Sequence, residues 1–206
     1  GKSIAKVDEM VVFIPFGAPG DIVNVKLDKK KKNFAEGHIT QIVESSKMRV
    51  EPFCSHFGVC GGCKWQHLPY EYQLQCKRQQ VVDALQRIAK VNIPEVNDIL
   101  GSKEIIGYRN KLEFTFSNKR WLTFEQMNNG ETFEDMNALG FHIPGAFDKV
   151  LDIEKCYLQD DISNKIRLFI RRYAIENGYP FYNIKQQEGL MRNIIIRVAS
   201  TGEIML

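Results

Sequence analysis

The amino-acid sequence predicts a β-rich α+β chain in three parts. A small β-barrel of the OB type spans residues 1–51, a cysteine loop and helix span 52–92, and an α+β domain spans 93–206. Residues 1–51 break into short apolar runs separated by turn signals, with no helical period. Three cysteines are compressed into the ten residues from Cys54 to Cys63. From Tyr108 apolar residues alternate with a period of two, and after Asp160 the spacing becomes helical. With 206 residues and 44% hydrophobic content, the chain can bury one large core or two small ones.

Met10 to Ile14 is an apolar run stopped by Pro15 and the loop Gly17-Ala18-Pro19-Gly20. Asp21 to Leu27 alternates towards Lys29-Lys30-Lys31-Lys32, which falls at a hairpin tip. Phe34 to Val43 and Met48 to Val50 bring the total to about five strands. Pro69 opens a helix reaching about Lys90, with Leu74, Arg78, Val81, Val82, Leu85, Ile88 and Ala89 on one face and Cys76 on the other.

Further on, Leu112, Phe114 and Phe116 alternate, Ser117 to Arg120 turn, and Trp121, Leu122 and Phe124 return as a strand. Leu139 to Phe141 and Lys149 to Ile153 are two more strands, with His142 in the loop between them and without chemistry. Asp160 or Asp161 caps a helix whose apolar stripe is Ile162, Ile166, Phe169, Ile170, Tyr173 and Ala174, ended by Gly178 and Pro180. Strand-like segments flank Glu188-Gly189. After a turn at Thr201-Gly202 the chain stops four residues into another strand, so residue 206 reads as a truncation point and Gly1 as an expression remnant.

The apolar runs are too short to span a bilayer, and no basic-then-apolar leader opens the chain, so the expected compartment is the cytoplasm. An odd count of five cysteines in a reducing compartment favours metal ligation over disulfides. Charge is segregated. Residues 1–120 carry a net +6, residues 121–161 a net −7 and residues 162–206 a net +4, a distribution compatible with a polyanion held at both ends.

The spacing C-x5-C-x2-C of Cys54, Cys60 and Cys63 needs one further ligand to complete a four-thiolate set. Cys156 and Cys76 are the two candidates. Cys156 is preferred because it lies in a short loop between a strand end and a helix cap. Three clustered cysteines with one distant partner fit a [4Fe–4S] cluster better than zinc, whose structural sites favour two paired knuckles. Zinc, with His56 or His67 completing the set, is the alternative. The C-x3-C-x2-C spacing of radical enzymes is missing.

The stretch from Cys54 to His67, with Tyr70 and Gln73-Leu74, resembles the iron–sulfur signature of the bacterial RNA uridine C5-methyltransferase family. Ala18-Pro19-Gly20-Asp21 and Arg49-Val50-Glu51-Pro52 resemble that family's N-terminal TRAM domain. Tyr108 to Lys111, Leu139 to Phe141 and Asp152 to Cys156 resemble its central domain. The resemblance implies that Cys54, Cys60, Cys63 and Cys156 hold the cluster and leaves Cys76 without a role. It also implies an RNA partner, 23S rRNA ahead of tRNA, and a parent enzyme that is a SAM-dependent RNA (uracil-5-)-methyltransferase. That family continues into a Rossmann methyltransferase domain that holds S-adenosylmethionine, a nucleophilic cysteine and a general base. No such segment is legible between residues 1 and 206. No residue here is therefore assigned a catalytic or S-adenosylmethionine-binding role, and the chain alone is expected to be inactive.

Lys29, Lys30, Lys31 and Lys32 are candidates for phosphate contacts, as are Arg109 and Lys111 at the start of an alternating strand. Phe114, Phe116 and Trp121 read as core, with base stacking the alternative. Trp65, Gln66 and His67 are expected to pack around the cluster. A monomer without membrane contact is expected. The rival readings are a stand-alone RNA-binding module and a zinc-binding interaction domain.

Overall fold

The computed structural model describes residues 2–206, so Gly1 lies outside the described residues. These fall into two compact units. One runs to Phe53 and resumes over Lys64–Lys103; the other joins Cys54–Cys63 to Glu104–Leu206. The cysteine segment thus groups with the C-terminal residues and not with the helix that follows it. The sequence divisions at residues 51 and 92 differ from this partition because Cys60 and Cys63 pack against the second unit's core.

The first unit holds β1 (Lys2–Val7), β2 (Met10–Pro15), β3 (Ile22–Lys30) and β4 (Phe34–Glu44). Their order in the sheet is β1-β2-β4-β3, with β1 and β3 at the edges. Asp8 and Glu9, at φ of 46° and 65°, form the two-residue turn whose twist suits a hairpin. Strand β2 runs parallel to β4, placing Val12 opposite Ala35, and these two with Ile14 form a small core. Met48–Val50 is not a fifth strand, a correction to the sequence reading: Arg49 N–H donates to Ser46 O and Val50 N–H to His67 O, both at 3.0 Å. The strand not foreseen is β1. Its large apolar residues Ile4 and Val7 are 67% and 56% exposed, so little in its pattern marks it.

Helix α1 (Tyr70–Asp83) starts at Pro69 as expected, then widens into one π-type turn over Ala84–Ile88. None of its residues is buried, which corrects the expected apolar face. Polar contacts hold it. Gln73 Nε2 donates to Trp65 O and Leu68 O at 3.1 and 2.9 Å, and Arg78 Nε donates to Val96 O at 2.9 Å. The Tyr70 hydroxyl accepts from Ser102 N–H at 2.8 Å.

The second unit is an antiparallel sheet of β5 (Lys111–Ser117), β6 (Ala138–Ile143), β7 (Ala146–Asp152), β8 (Asn193–Val198) and β9 (Ile204–Met205). The order is β7-β6-β5-β8-β9. The period-two pattern holds: Leu112, Phe114 and Phe116 are buried with Leu139, Ile194 and Ile196. Two of the aromatics weighed for base stacking are therefore core, and Trp121 packs against the same cluster. The expected return strand at Trp121–Phe124 is replaced by a short helix, α2 (Phe124–Asn128). Thr123 and Gln126 exchange side-chain and backbone hydrogen bonds in a capping box, which starts a helix where alternation alone reads strand.

Helix α3 (Asp161–Glu176) ends as its sequence predicts. Gly178 at φ 66° lets Tyr179 N–H reach Ala174 O at 2.8 Å and Gly178 N–H reach Ile175 O at 3.1 Å, a Schellman ending. Its buried face differs from the expected stripe. Ser163, Asn164, Arg167 and Ala174 are buried, whereas Ile162, Phe169 and Tyr173 are exposed.

Candidate metal centre and RNA-facing residues

The cysteine segment is held by backbone turns. Phe57 N–H donates to Cys54 O at 3.0 Å and Cys60 N–H to His56 O at 2.9 Å. Gly58 takes a φ of 89°, which an L side chain rarely adopts. At Gly61 a Cβ would lie 3.0 Å from the His142 carbonyl oxygen, so a small residue is needed for the segment to lie against β6. Gly62 N–H donates to Cys60 Sγ at 3.4 Å.

Cys156 lies in the loop between β7 and α3, and that loop is fixed by the polar face of α3. Asn164 bonds the backbone of Cys156 twice: its Oδ1 accepts from Cys156 N–H at 2.8 Å and its Nδ2 donates to Cys156 O at 3.0 Å. The buried Arg167 guanidinium donates to the carbonyls of Ile153 and Glu154, the latter at 2.9 Å, and lies 5.2 Å over the Phe114 ring. Burial pulls the Arg167 pKa down to about 10, against the opposing pull of Asp152. Asp152 accepts from Leu139 N–H at 2.9 Å and pairs with Arg120 at 3.2 Å and Arg171 at 3.0 Å. From the cysteine segment, His56 Nε2 accepts from Glu154 N–H at 3.1 Å. That bond makes Nε2 an acceptor, and burial lowers the His56 pKa, which keeps the ring neutral.

Cys54, Cys60, Cys63 and Cys156 accordingly belong to one compact unit, and Cys60, Cys63 and Cys156 pack in or against one apolar cluster. Burial raises the Cys60 thiol to about 11, with further upward pushes from Cys156, Cys63 and Cys54 and a downward one from Gly62 N–H. Burial likewise raises Cys156, with upward contributions from Cys63 and Cys54. All five cysteines are thiols rather than disulfides. Among the described residues, no three His, Cys, Asp or Glu side chains stand at metal-binding positions. In kind, the donors suit a thiolate-bound group: four cysteines belong to one unit and Gly62 N–H points at Cys60 Sγ. Cys76 sits on α1 in the other unit, where it interacts with the Tyr72 hydroxyl.

His67 belongs to the first unit, whereas the cysteine segment belongs to the second. It is buried in the first unit, with Nε2 3.2 Å from Gly17 O and its ring 6.4 Å from that of Phe16. Trp65 lies in the same unit beneath the Lys77 ammonium at 6.0 Å.

Lys29 and Lys30 end β3, and Lys31 and Lys32 are exposed at the tip before β4. Lys31 N–H donates to Phe34 O at 2.8 Å and its ammonium covers the Phe34 ring at 5.5 Å, which orders the tip. In the second unit Arg109 and Lys111 are exposed, with Arg109 N–H donating to Leu158 O at 2.8 Å. Lys111 sits directly opposite Arg197 across β5 and β8. Sequence reasoning does not single out Arg197, because the pairing register that joins the two cations is not local.

Residues 1–40 match the TRAM domain family. The chain is 56% identical over 206 residues to an uncharacterized RNA methyltransferase of Bacteroides thetaiotaomicron, covering all of this chain and 45% of that protein. It is 54% identical over 211 residues to one from Porphyromonas gingivalis, again covering all of this chain and 45% of the relative. Among solved structures it resembles the Pyrococcus abyssi tRNA (uracil-54, C5)-methyltransferase in complex with S-adenosyl-L-homocysteine. That likeness has a TM-score of 0.63 and 26% identity, over 99% of this chain and 44% of that one. No helix among the described residues is long and apolar enough to cross a membrane. The chain carries a TRAM match at its N-terminus, aligns end to end with proteins named RNA methyltransferases, and spans a little under half their length.

Proposed function

We propose that the chain is the RNA-binding and iron–sulfur portion of a cytoplasmic SAM-dependent RNA uridine C5-methyltransferase acting on 23S rRNA. The observation that carries this reading is the structural likeness, over 99% of the chain, to a uracil C5-methyltransferase. The gathering of Cys54, Cys60, Cys63 and Cys156 in one unit supports the iron–sulfur assignment. Those four cysteines would hold a [4Fe–4S] cluster, which when bound supplies a covalent staple between the loop before α3 and the 54–63 segment.

Uridine C5 is a weak nucleophile. Its methylation needs a thiolate to add at C6, methyl transfer to C5, and removal of the C5 proton with expulsion of the thiolate from C6. The chain's own residues serve recognition instead. Lys29–Lys32 and the group Arg109, Lys111 and Arg197 supply cations for phosphates, which fix register without reading sequence. The thiolate, the base and the methyl donor's site are assigned to the part of the parent protein outside residues 1–206, in keeping with relatives about twice as long.

A tRNA substrate is the second reading, favoured by the tRNA-directed enzyme among the solved structures. Mass spectrometry of 5-methyluridine in 23S rRNA and tRNA, from cells with and without the encoding gene, tests both. Loss of one 5-methyluridine from 23S rRNA is expected. Loss from tRNA alone moves the assignment to the second reading, and no loss from either removes the methyltransferase reading.

A further inference from the structure

We infer that a cavity in the second unit, at the exposed face of its sheet, binds one unpaired nucleobase of RNA, guanine foremost. This rests on the RNA reading above and adds a site and a base to it. The cavity measures about 370 Å³, a volume in the range of small-molecule sites and ample for a nucleoside. Strand pairing explains why it forms there. With Leu112, Phe114 and Phe116 turned into the core, Glu113 and Thr115 are left on the opposite face, and Thr115 pairs with Asn193 of β8.

Its lining combines two kinds of group. Phe147 and Tyr182 supply aromatic faces. Phe147 is 71% exposed, a large apolar ring left at the surface beside the cavity. Arg192 lies 4.8 Å over the Tyr182 ring, presenting a cation beside an aromatic surface. An unpaired base is recognised by this combination, with stacking on a ring and a guanidinium for the neighbouring phosphate.

The polar groups select among bases. Asn193 Nδ2 donates to Glu113 Oε1 at 3.1 Å, which orients the carboxylate and leaves Oε2 as an acceptor. Guanine offers two parallel N–H donors to a carboxylate, whereas uracil offers one N–H between two carbonyls that a carboxylate repels. His142 lines the same cavity and adds a polar ring to its wall. Two residues along β5 from Glu113, Lys111 and Arg197 face each other on the same side of the sheet, so the RNA strand leaving the cavity meets a pair of cations.

The test is fluorescence anisotropy of the chain with a short labelled oligouridine and with the same oligonucleotide carrying one central guanosine. Both Phe147 and Glu113 are exposed, so Phe147→Ala and Glu113→Gln leave the core intact. The guanosine oligonucleotide is expected to bind about tenfold tighter. Glu113→Gln should erase that preference, and Phe147→Ala should weaken both oligonucleotides about tenfold. If both variants bind like the unaltered chain, the cavity assignment is overturned while the RNA reading stands. If the unaltered chain binds neither oligonucleotide, the RNA reading falls and the cavity assignment with it.

Discussion

The carboxylate of Asp21 and the guanidinium of Arg49 form a two-point pair, Nη2 to Oδ2 at 2.5 Å and Nε to Oδ1 at 3.2 Å. The Asp21 side chain is 3% exposed, and its oxygens also accept from Ala18 N–H at 2.7 Å and Ser46 N–H at 2.9 Å. Arg49 in turn donates to Phe16 O at 2.9 Å. Two short motifs far apart in sequence, Ala18-Pro19-Gly20-Asp21 and Arg49-Val50-Glu51-Pro52, are thus joined into one hydrogen-bonded unit.

Asp21→Asn should destabilise the first unit by about 3 kcal/mol, because it leaves a largely buried guanidinium without its counter-charge. Chemical denaturation of the variant against the unaltered chain measures this. An unchanged midpoint would show the pair to be dispensable.

The same pair sets a pH dependence. Burial alone would raise the Asp21 pKa, but Arg49 and the two backbone N–H groups outweigh it and hold it at about 2, below the ordinary 3.8. Its contribution, about 2 kcal/mol, is present above the ordinary value and is lost as pH falls from about 4 to about 2. Stability of Asp21→Asn should decline less steeply across that window than that of the unaltered chain.

Asn164→Leu removes both partners of the Cys156 backbone and should cost about 2 kcal/mol through the buried N–H left unsatisfied. His56→Ala, which deprives only the exposed Glu154 N–H of its acceptor, should cost less, about 1 kcal/mol. Thermal unfolding of the two variants checks the order, and a larger loss at His56 would contradict this account of the loop.

Replacing Lys29, Lys30, Lys31 and Lys32 together by Gln should weaken binding to oligonucleotides of any sequence by a similar factor. The slope of log affinity against log salt should fall by up to about three, roughly 0.7 for each phosphate that the lysines neutralise. A change in base preference without a change in slope would argue against phosphate contact there.

How much of the fold and site is legible in the sequence depends on whether an interaction is local. The alternation at Leu112, Phe114 and Phe116 is local, and those residues are buried as it predicts. Periodicity misassigns the α3 face because Asn164 and Arg167 satisfy carbonyl and amide groups of a preceding loop, which hydrophobic spacing does not register. A signal is present: Ser163, Asn164, Arg167 and Arg171 recur at helical spacing beside the apolar stripe. Proximity in sequence draws His67 to the cysteines, yet its ring nitrogen reaches back fifty residues to Gly17. The facing of Lys111 and Arg197 depends on the β5–β8 register, which no local pattern encodes.

The most direct test of the central claim is the iron and acid-labile sulfide content of the anaerobically purified chain and of Cys156→Ser and Cys76→Ser. The account predicts about four irons and four sulfides per chain, lost in Cys156→Ser and retained in Cys76→Ser. A colourless unaltered chain holding one zinc, or a cluster that survives Cys156→Ser and disappears in Cys76→Ser, would contradict it.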